Sequence, residues 1–147
     1  VICDDLEGLG FAVHDVCEAS TYAESLGFAL DGLEGRCGPT RAWVKRLKQA
    51  LLFCASRPRV SGQELERLLG HCTFVFMINR PLLSIFRSSY TFVHTHYTVH
   101  KRLWRSVVRE MLQAAALVDF CFSDLRKKWS NDVYMFDASL AGYGILR

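Results

Sequence analysis

Long apolar runs are missing from this chain. None approaches the roughly 20 residues that a membrane-crossing helix requires, and no leader of the secretory type opens it, so no membrane partner is expected. Cysteines spaced as C-x-x-C are missing too. The six cysteines, at positions 3, 17, 37, 54, 72 and 121, lack the paired spacing of zinc ribbons and redox motifs. Several fall on apolar helix faces, where a thiol acts as a small hydrophobe, which favours a reducing, intracellular setting, cytoplasmic or nuclear. Charge of one sign is scarce: 18 Lys and Arg against 15 Asp and Glu leave a net +3. Global charge alone therefore does not draw the chain onto nucleic acid, and any such binding has to come from local stripes. The chain opens on Val1-Ile2-Cys3 without an initiator Met and stops on Gly144-Ile145-Leu146-Arg147 inside what reads as a strand, so it is expected to be a window of a longer protein.

Half of the 147 residues are apolar and 22% are charged, a composition able to bury a core. Residues 1–39 are rich in glycine and short apolar runs. Val1-Ile2-Cys3, Asp4-Asp5 and Leu6 to Leu9 read as strand, acidic turn and strand, a hairpin with two carboxylates at its tip. His14 to Glu24 reads as a short polar helix. Ser25 to Leu30, Asp31-Gly32 and a return through Arg36-Cys37 read as a second hairpin, because Asp-Gly supplies the turn that strand pairing favours.

The period changes at Arg41. Trp43, Leu47, Ala50, Leu51 and Cys54 recur at helical steps, while Arg41, Lys45 and Lys48 share another face. Pro58 ends this helix. Ser61-Gly62-Gln63-Glu64 is a capping box that starts a second helix, with Leu65, Leu68, Leu69, Cys72 and Phe76 inward. Pro81 suits the first turn of a short third helix through Phe86. Tyr90 to His100 shows no helix period and reads as a partly extended connector. A fourth helix is expected from Lys101 to about Leu117, with Leu103, Trp104, Val107, Val108, Met111 and Ala115 inward and Arg102, Arg105 and Arg109 as a second basic stripe. Asp124 to Trp129 reads as a polar link, Val133 to Phe136 as a strand ending on Asp137, and Gly142-Tyr143-Gly144 as the start of a returning strand.

Like charges side by side raise each other's pKa, so an Asp-Asp pair at a hairpin tip invites a divalent cation. Magnesium takes hard oxygen ligands and uses one or two carboxylates together with substrate phosphates. A solvated turn is the competing reading of the pair alone. The order of motifs adds weight. Ile2-Cys3-Asp4-Asp5, then Ser25-Leu26-Gly27-Phe28 with Asp31-Gly32 and Pro39-Thr40-Arg41, then Val60-Ser61-Gly62-Gln63-Glu64-Leu65 through Leu69-Gly70-His71, and last Asp137-Ala138-Ser139 with Gly142-Tyr143-Gly144, follow in one sequence. In that order the chain resembles reverse transcriptases of the long-terminal-repeat or tyrosine-recombinase retroelement type, from the catalytic hairpin of the palm into the first strands of RNase H. Departures from the family pattern are Ile2 for an aromatic residue, Glu7 for an apolar one, Ser25 for Phe and Phe136 for Thr, together with a short stretch between Leu9 and Ser25.

The resemblance implies an α+β fold: partial palm β-hairpins over 1–39, a helical thumb over 40–93, a connection over 94–131, and the start of an RNase H-like sheet over 132–147. It implies RNA-directed DNA polymerase and ribonuclease H activity by two-metal phosphoryl transfer. The metal would be Mg2+ or Mn2+, with Asp4, Asp5 and Asp137 as catalytic ligands. Its partners would be a template–primer duplex of RNA or DNA and, in the full protein, deoxynucleotides. Leu26 and Gly27 would lie in the primer grip, and Arg41, Lys45 and Lys48 would contact phosphates, although a basic helix face is also what ordinary solvation produces. Other readings are a catalytically dead retroelement remnant, a helical nucleic-acid-binding module and a helical protein-interaction domain. His96 and His100 have the spacing of helical zinc ligands, with His94 nearby, but no Cys or carboxylate adjoins them in sequence. His71, Trp104 and Trp129 read as packing residues.

Overall fold

The computed structural model describes residues 2–12, 20–128, 130–132, 135–139 and 142–146. It combines helices with antiparallel sheet, so the mixed helix-and-strand class expected from the sequence holds. A four-stranded sheet contains β1 (Tyr22–Ser25), β2 (Phe28–Asp31), β3 (Arg36–Pro39) and β4 (Ser123–Asp124) in that order. The expected hairpin around Asp31-Gly32 is present as β2 and β3, with Leu30 opposite Cys37 and the Asp31 carboxylate accepting from the Glu34 amide at 2.8 Å.

Two expectations fail beside it. Ser25 to Leu30 is not one strand, because Leu26 (φ 51°) and Gly27 (φ 82°) form a tight turn in which Ser25 pairs with Phe28. Positive φ at both central residues matches the twist that two-residue hairpin loops require. Residues 22–24, expected to be helical, are strand: β1 gains a full ladder to β2, which outweighs the weak helical preference of a short polar segment. The rest of that segment, 14–19, and Cys17 within it lie outside the described residues.

Thr40 ends β3 and caps α2 (Arg41–Ser56), its hydroxyl accepting from the Trp43 amide at 3.4 Å. Leu47, Leu51 and Cys54 are buried along α2, Trp43 is half-buried and Ala50 is exposed. The capping box opens α3 (Gly62–Phe76) as expected: Ser61 Oγ accepts from the Glu64 amide at 3.2 Å and Glu64 accepts from the Ser61 amide at 2.9 Å. Leu65, Leu69, Cys72 and Phe76 are buried and Leu68 is half-buried. A 3₁₀ run, Met77–Phe86, follows and breaks at Asn79 (φ −135°, ψ 73°), just before Pro81.

Tyr90 to Thr95 is not a connector but the body of α4 (Arg87–Thr95). Its helix has little intrinsic signal, because Ser, Thr, Tyr and Val are middling helix formers. It is held by burial of Ser89, Phe92 and Val93 and by Glu110, whose carboxylate accepts from the Ser88 and Ser89 amides at 2.8 Å each. The last long helix, α5 (Arg105–Leu117), starts later than expected, because Lys101 pairs with Val60 in a two-way backbone bridge (2.9 and 3.1 Å). The run Gly62–Thr95 has the length and apolar composition of a membrane span, against the expectation from sequence; it consists of α3, the broken 3₁₀ run and α4. One core joins these helices through Leu51, Leu65, Leu69, Phe76, Phe86, Phe92, Val107 and Met111.

The described residues begin on α1 (Ile2–Gly8), not on a hairpin, so Asp4 and Asp5 occupy the first turn of a short helix. Carboxylates there offset the positive end of the helix dipole, which removes the reason to read the pair as a turn. β5 (Met135–Ser139) and β6 (Gly142–Leu146) form an antiparallel hairpin, as expected for the end of the chain. Asp137 is the middle residue of β5, opposite Gly144, and not at the strand end. Val1, Trp129, Val133 and Tyr134 lie outside the described residues.

Glu64 gives the fold a pH dependence. The Ser61 amide and then the Arg57 guanidinium, 2.8 Å away, hold its carboxyl down to about 2 from an ordinary value of 4.5. A depressed carboxyl contributes stability that is present above 4.5 and lost as pH falls toward 2. Its side chain is 36% exposed, so solvent screening reduces the expected contribution to ~1 kcal/mol. Thermal melts from pH 5 to 2 should show this loss in the wild type, and Glu64→Gln should remove it while keeping the cap acceptor. Identical pH profiles would contradict it.

Candidate nucleic-acid interface

α2 separates two surfaces. At 100° per residue, Arg41, Lys45 and Lys48 share one side, and Trp43, Arg46 and Ala50 lie on the opposite side. The first side faces a cleft of about 700 Å³ between α2, the sheet and residues 118–122. Ala29 and Gly38 lie in the sheet floor, where residues 121 and 122 pack closely on the backbone: a Cβ at Gly38 would stand 3.2 Å from both the Cys121 carbonyl oxygen and the Phe122 Cβ. The sequence stripe is thus brought together as expected, but its charges are not equivalent. Lys48 pairs with Asp119, and Arg36, which no sequence pattern singled out, lies 4.8 Å over the Phe122 ring and 3.5 Å from Glu34. Arg41 and Lys45 are exposed and have no carboxylate partner among the described residues. They are the two cations of the stripe open to a polyanion.

The opposite side holds a groove of about 340 Å³ between α2 and α3, lined by Trp43, Arg46, Leu47, Ala50, Leu68 and His71. Leu26 and Gly27 belong near this side. A Cβ at Gly27 would lie 2.3 Å from the Trp43 ring, so both the turn and the close approach need glycine there. Leu26, at the tip, is 85% exposed in a left-handed conformation that a non-glycine residue adopts at a cost of roughly 1–2 kcal/mol. Trp43 packs with Phe74 (5.3 Å), and Phe74 with Phe28 (5.1 Å), tying the sheet to α3. The structure therefore places the expected primer-grip residues and the expected phosphate stripe at one end of α2 but on different sides of it. No sequence signal joined Trp43 to His71 and Phe74, because Trp43 lies on α2 and the other two on α3.

His71, expected as a packing residue, is exposed, its ring centroid 6.4 Å from that of Trp43 in an edge arrangement. Trp104 packs edge-on to Phe92 and His96. His96 ends α4 and His100 lies beyond it, 3.3 Å from Glu64, so the helical zinc spacing of His96 and His100 is not realised. The five described cysteines are free thiols; burial pushes Cys72 up to about 12 and Cys121 up to about 11, which keeps both protonated and unreactive.

Asp4 and Asp5 are exposed on α1. Among the described residues, no three His, Cys, Asp or Glu side chains converge to hold a metal. Two neighbouring carboxylates do not complete a magnesium coordination set. Comparison of the chain with protein-family models, curated proteins and solved structures finds no match.

Proposed function

We propose that this chain is a duplex-holding part of an RNA-directed DNA polymerase with ribonuclease H, as the order of its motifs suggests. The observation that carries the reading is the cleft beside α2, where Arg41 and Lys45, without a carboxylate partner among the described residues, stand next to a β-hairpin that leads directly into the helix. Such cations contact phosphates without reading sequence, which is what a polymerase needs from the part that grips its template–primer. In this reading Asp4, Asp5 and Asp137 belong to Mg2+ or Mn2+ sites, where the metal would stabilise an in-line displacement at phosphorus. The helical start of the chain favours a second reading, a module that binds nucleic acid without catalysis.

Duplex binding measured across a salt series tests both. Arg41→Gln with Lys45→Gln should lower the magnitude of the slope of log affinity against log salt by about 2, since each phosphate neutralised by a side chain releases about one counterion. Lys48→Gln should change it little, because Asp119 already neutralises that ammonium. An unchanged slope in the double variant would reduce the stripe to a solvated face.

A further inference from the structure

A second cationic cleft lies at the far end of α2, and residues distant in sequence build it. The Val60–Lys101 bridge draws the segment after α2 against the segment before α5. Between them is a cleft of about 320 Å³ lined in part by Ser56, Arg57, Arg102, Arg105 and Val108. Arg57 is committed to Glu64 at 2.8 Å. Arg102 and Arg105 are exposed and have no carboxylate partner among the described residues, and Arg109 follows Arg105 by one helical turn.

Both clefts open on the same side of α2. Ser56 falls within about 60° of Arg41, as do Lys45, Lys48 and Leu52 between them. α5 runs antiparallel beside α2: Arg105 and Val108 line the far cleft, whereas Val118 and Asp119, just past α5, line the near one. The paired helices thus present one ridge with cations at both ends that have no carboxylate partner among the described residues, and with exposed Leu52 (45%) and Leu112 (47%) along it. The 16 residues of α2 make the ridge about 24 Å long, or about seven steps of a nucleic-acid strand at 3.4 Å each.

We propose that a polynucleotide backbone runs along the α2–α5 ridge, held by Arg41 and Lys45 at one end and by Arg102 and Arg105 at the other. This rests on the nucleic-acid reading above and extends it from one cleft to a path of defined length. Charge complementarity selects the occupant: a strand with a phosphate at every step places charge at both ends at once, and the Leu pair meets the less polar sugar edge between them.

The test uses the chain as it is, with a duplex of about 20 base pairs, longer than the ridge at 3.4 Å per step. Arg102→Gln with Arg105→Gln should lower the salt slope by about 2, and combining it with Arg41→Gln and Lys45→Gln should add the two losses, because the ends are too far apart to couple. Arg102→Lys with Arg105→Lys should keep the slope, which separates lost charge from disturbed folding. A covalently cross-linked duplex of about five base pairs is shorter than the ridge and engages one end at a time, so either pair of substitutions alone should leave its slope near that of the wild type and only the combined variant should lower it, by about 2. If the wild type binds with a steep slope that the far-end variant leaves unchanged, the path is wrong and the near-end reading stands. Absence of salt-dependent duplex binding by the wild type would overturn the function reading and the path with it. Equal losses toward polyglutamate and toward duplex would assign the ridge to an acidic protein and overturn the polynucleotide.

Discussion

Glu110→Ala is expected to cost about 3 kcal/mol or more, among the largest losses of any single substitution in this chain, since hydrogen bonds to a charged acceptor contribute roughly 1.5–3 kcal/mol each. The side chain is buried on α5, and its two oxygens receive the Ser88 amide, the Ser89 amide and, at 2.5 Å, the Ser89 hydroxyl. These amides open α4, which has no capping side chain of its own, so Glu110 acts as the cap from another helix. Alanine would leave buried donors without acceptors and a void where the carboxylate sat. Glu110→Gln keeps the shape and one acceptor, and should lose less than Ala. Denaturant melts of the three proteins give the order; if Ala and Gln were both within ~0.5 kcal/mol of wild type, the carboxylate would not be holding the two helices together.

The same carboxylate explains which parts of the fold were legible in the sequence. The capping box, the β2–β3 hairpin and the helices α2, α3 and α5 come from local patterns; the capping box formed where its residues indicate, whereas α5 starts at Arg105 and not at Lys101, and Ala50 and Trp104, expected inward, are exposed. α4 was missed because its cap is supplied from 21 and 22 residues away and its buried face, Ser89, Phe92 and Val93, is too short to show a period. α1 was misread for the opposite reason: adjacent aspartates are equally at home in a turn and in a first helical turn, and nothing local decides between them.

The candidate interface was partly legible in the same sense. The stripe Arg41, Lys45 and Lys48 was visible by spacing, and so were Arg102, Arg105 and Arg109. That Asp119 silences Lys48, and that the two stripes join on one ridge, follows only from packing α5 against α2. Leu26 and Gly27 were singled out for the stretch they resemble; the turn they form and the Trp43 ring against Gly27 were not readable from either residue.

Gly62 and Gly70 share a helix and should respond in opposite directions. Gly62 is the first residue of α3, where its amide donates to the His96 carbonyl at 2.8 Å and the next amide donates to the Tyr97 carbonyl at 2.9 Å. The end of α4 thereby lies directly over the start of α3. A Cβ at Gly62 would stand 2.6 Å from the Val93 carbonyl oxygen, 2.8 Å from the Tyr97 Cα and 3.0 Å from the His96 carbonyl oxygen. All three are backbone atoms, which cannot rotate aside, so Gly62→Ala must push the two helices apart or bend one. It should cost about 2–3 kcal/mol, the upper part of the overpacking range, and the opening should also weaken the bonds to His96 and Tyr97. Gly70 lies in the exposed middle of the same helix with nothing within 4 Å of a Cβ. There the helix preference for alanine over glycine is unopposed, and Gly70→Ala should stabilise by ~0.5–1 kcal/mol. Paired chemical denaturation of the two variants reads both signs on one baseline. Gly62→Ala at wild-type stability would show that α4 does not pack over the start of α3. Destabilisation by Gly70→Ala would place a neighbour against a helix face that the fold leaves open.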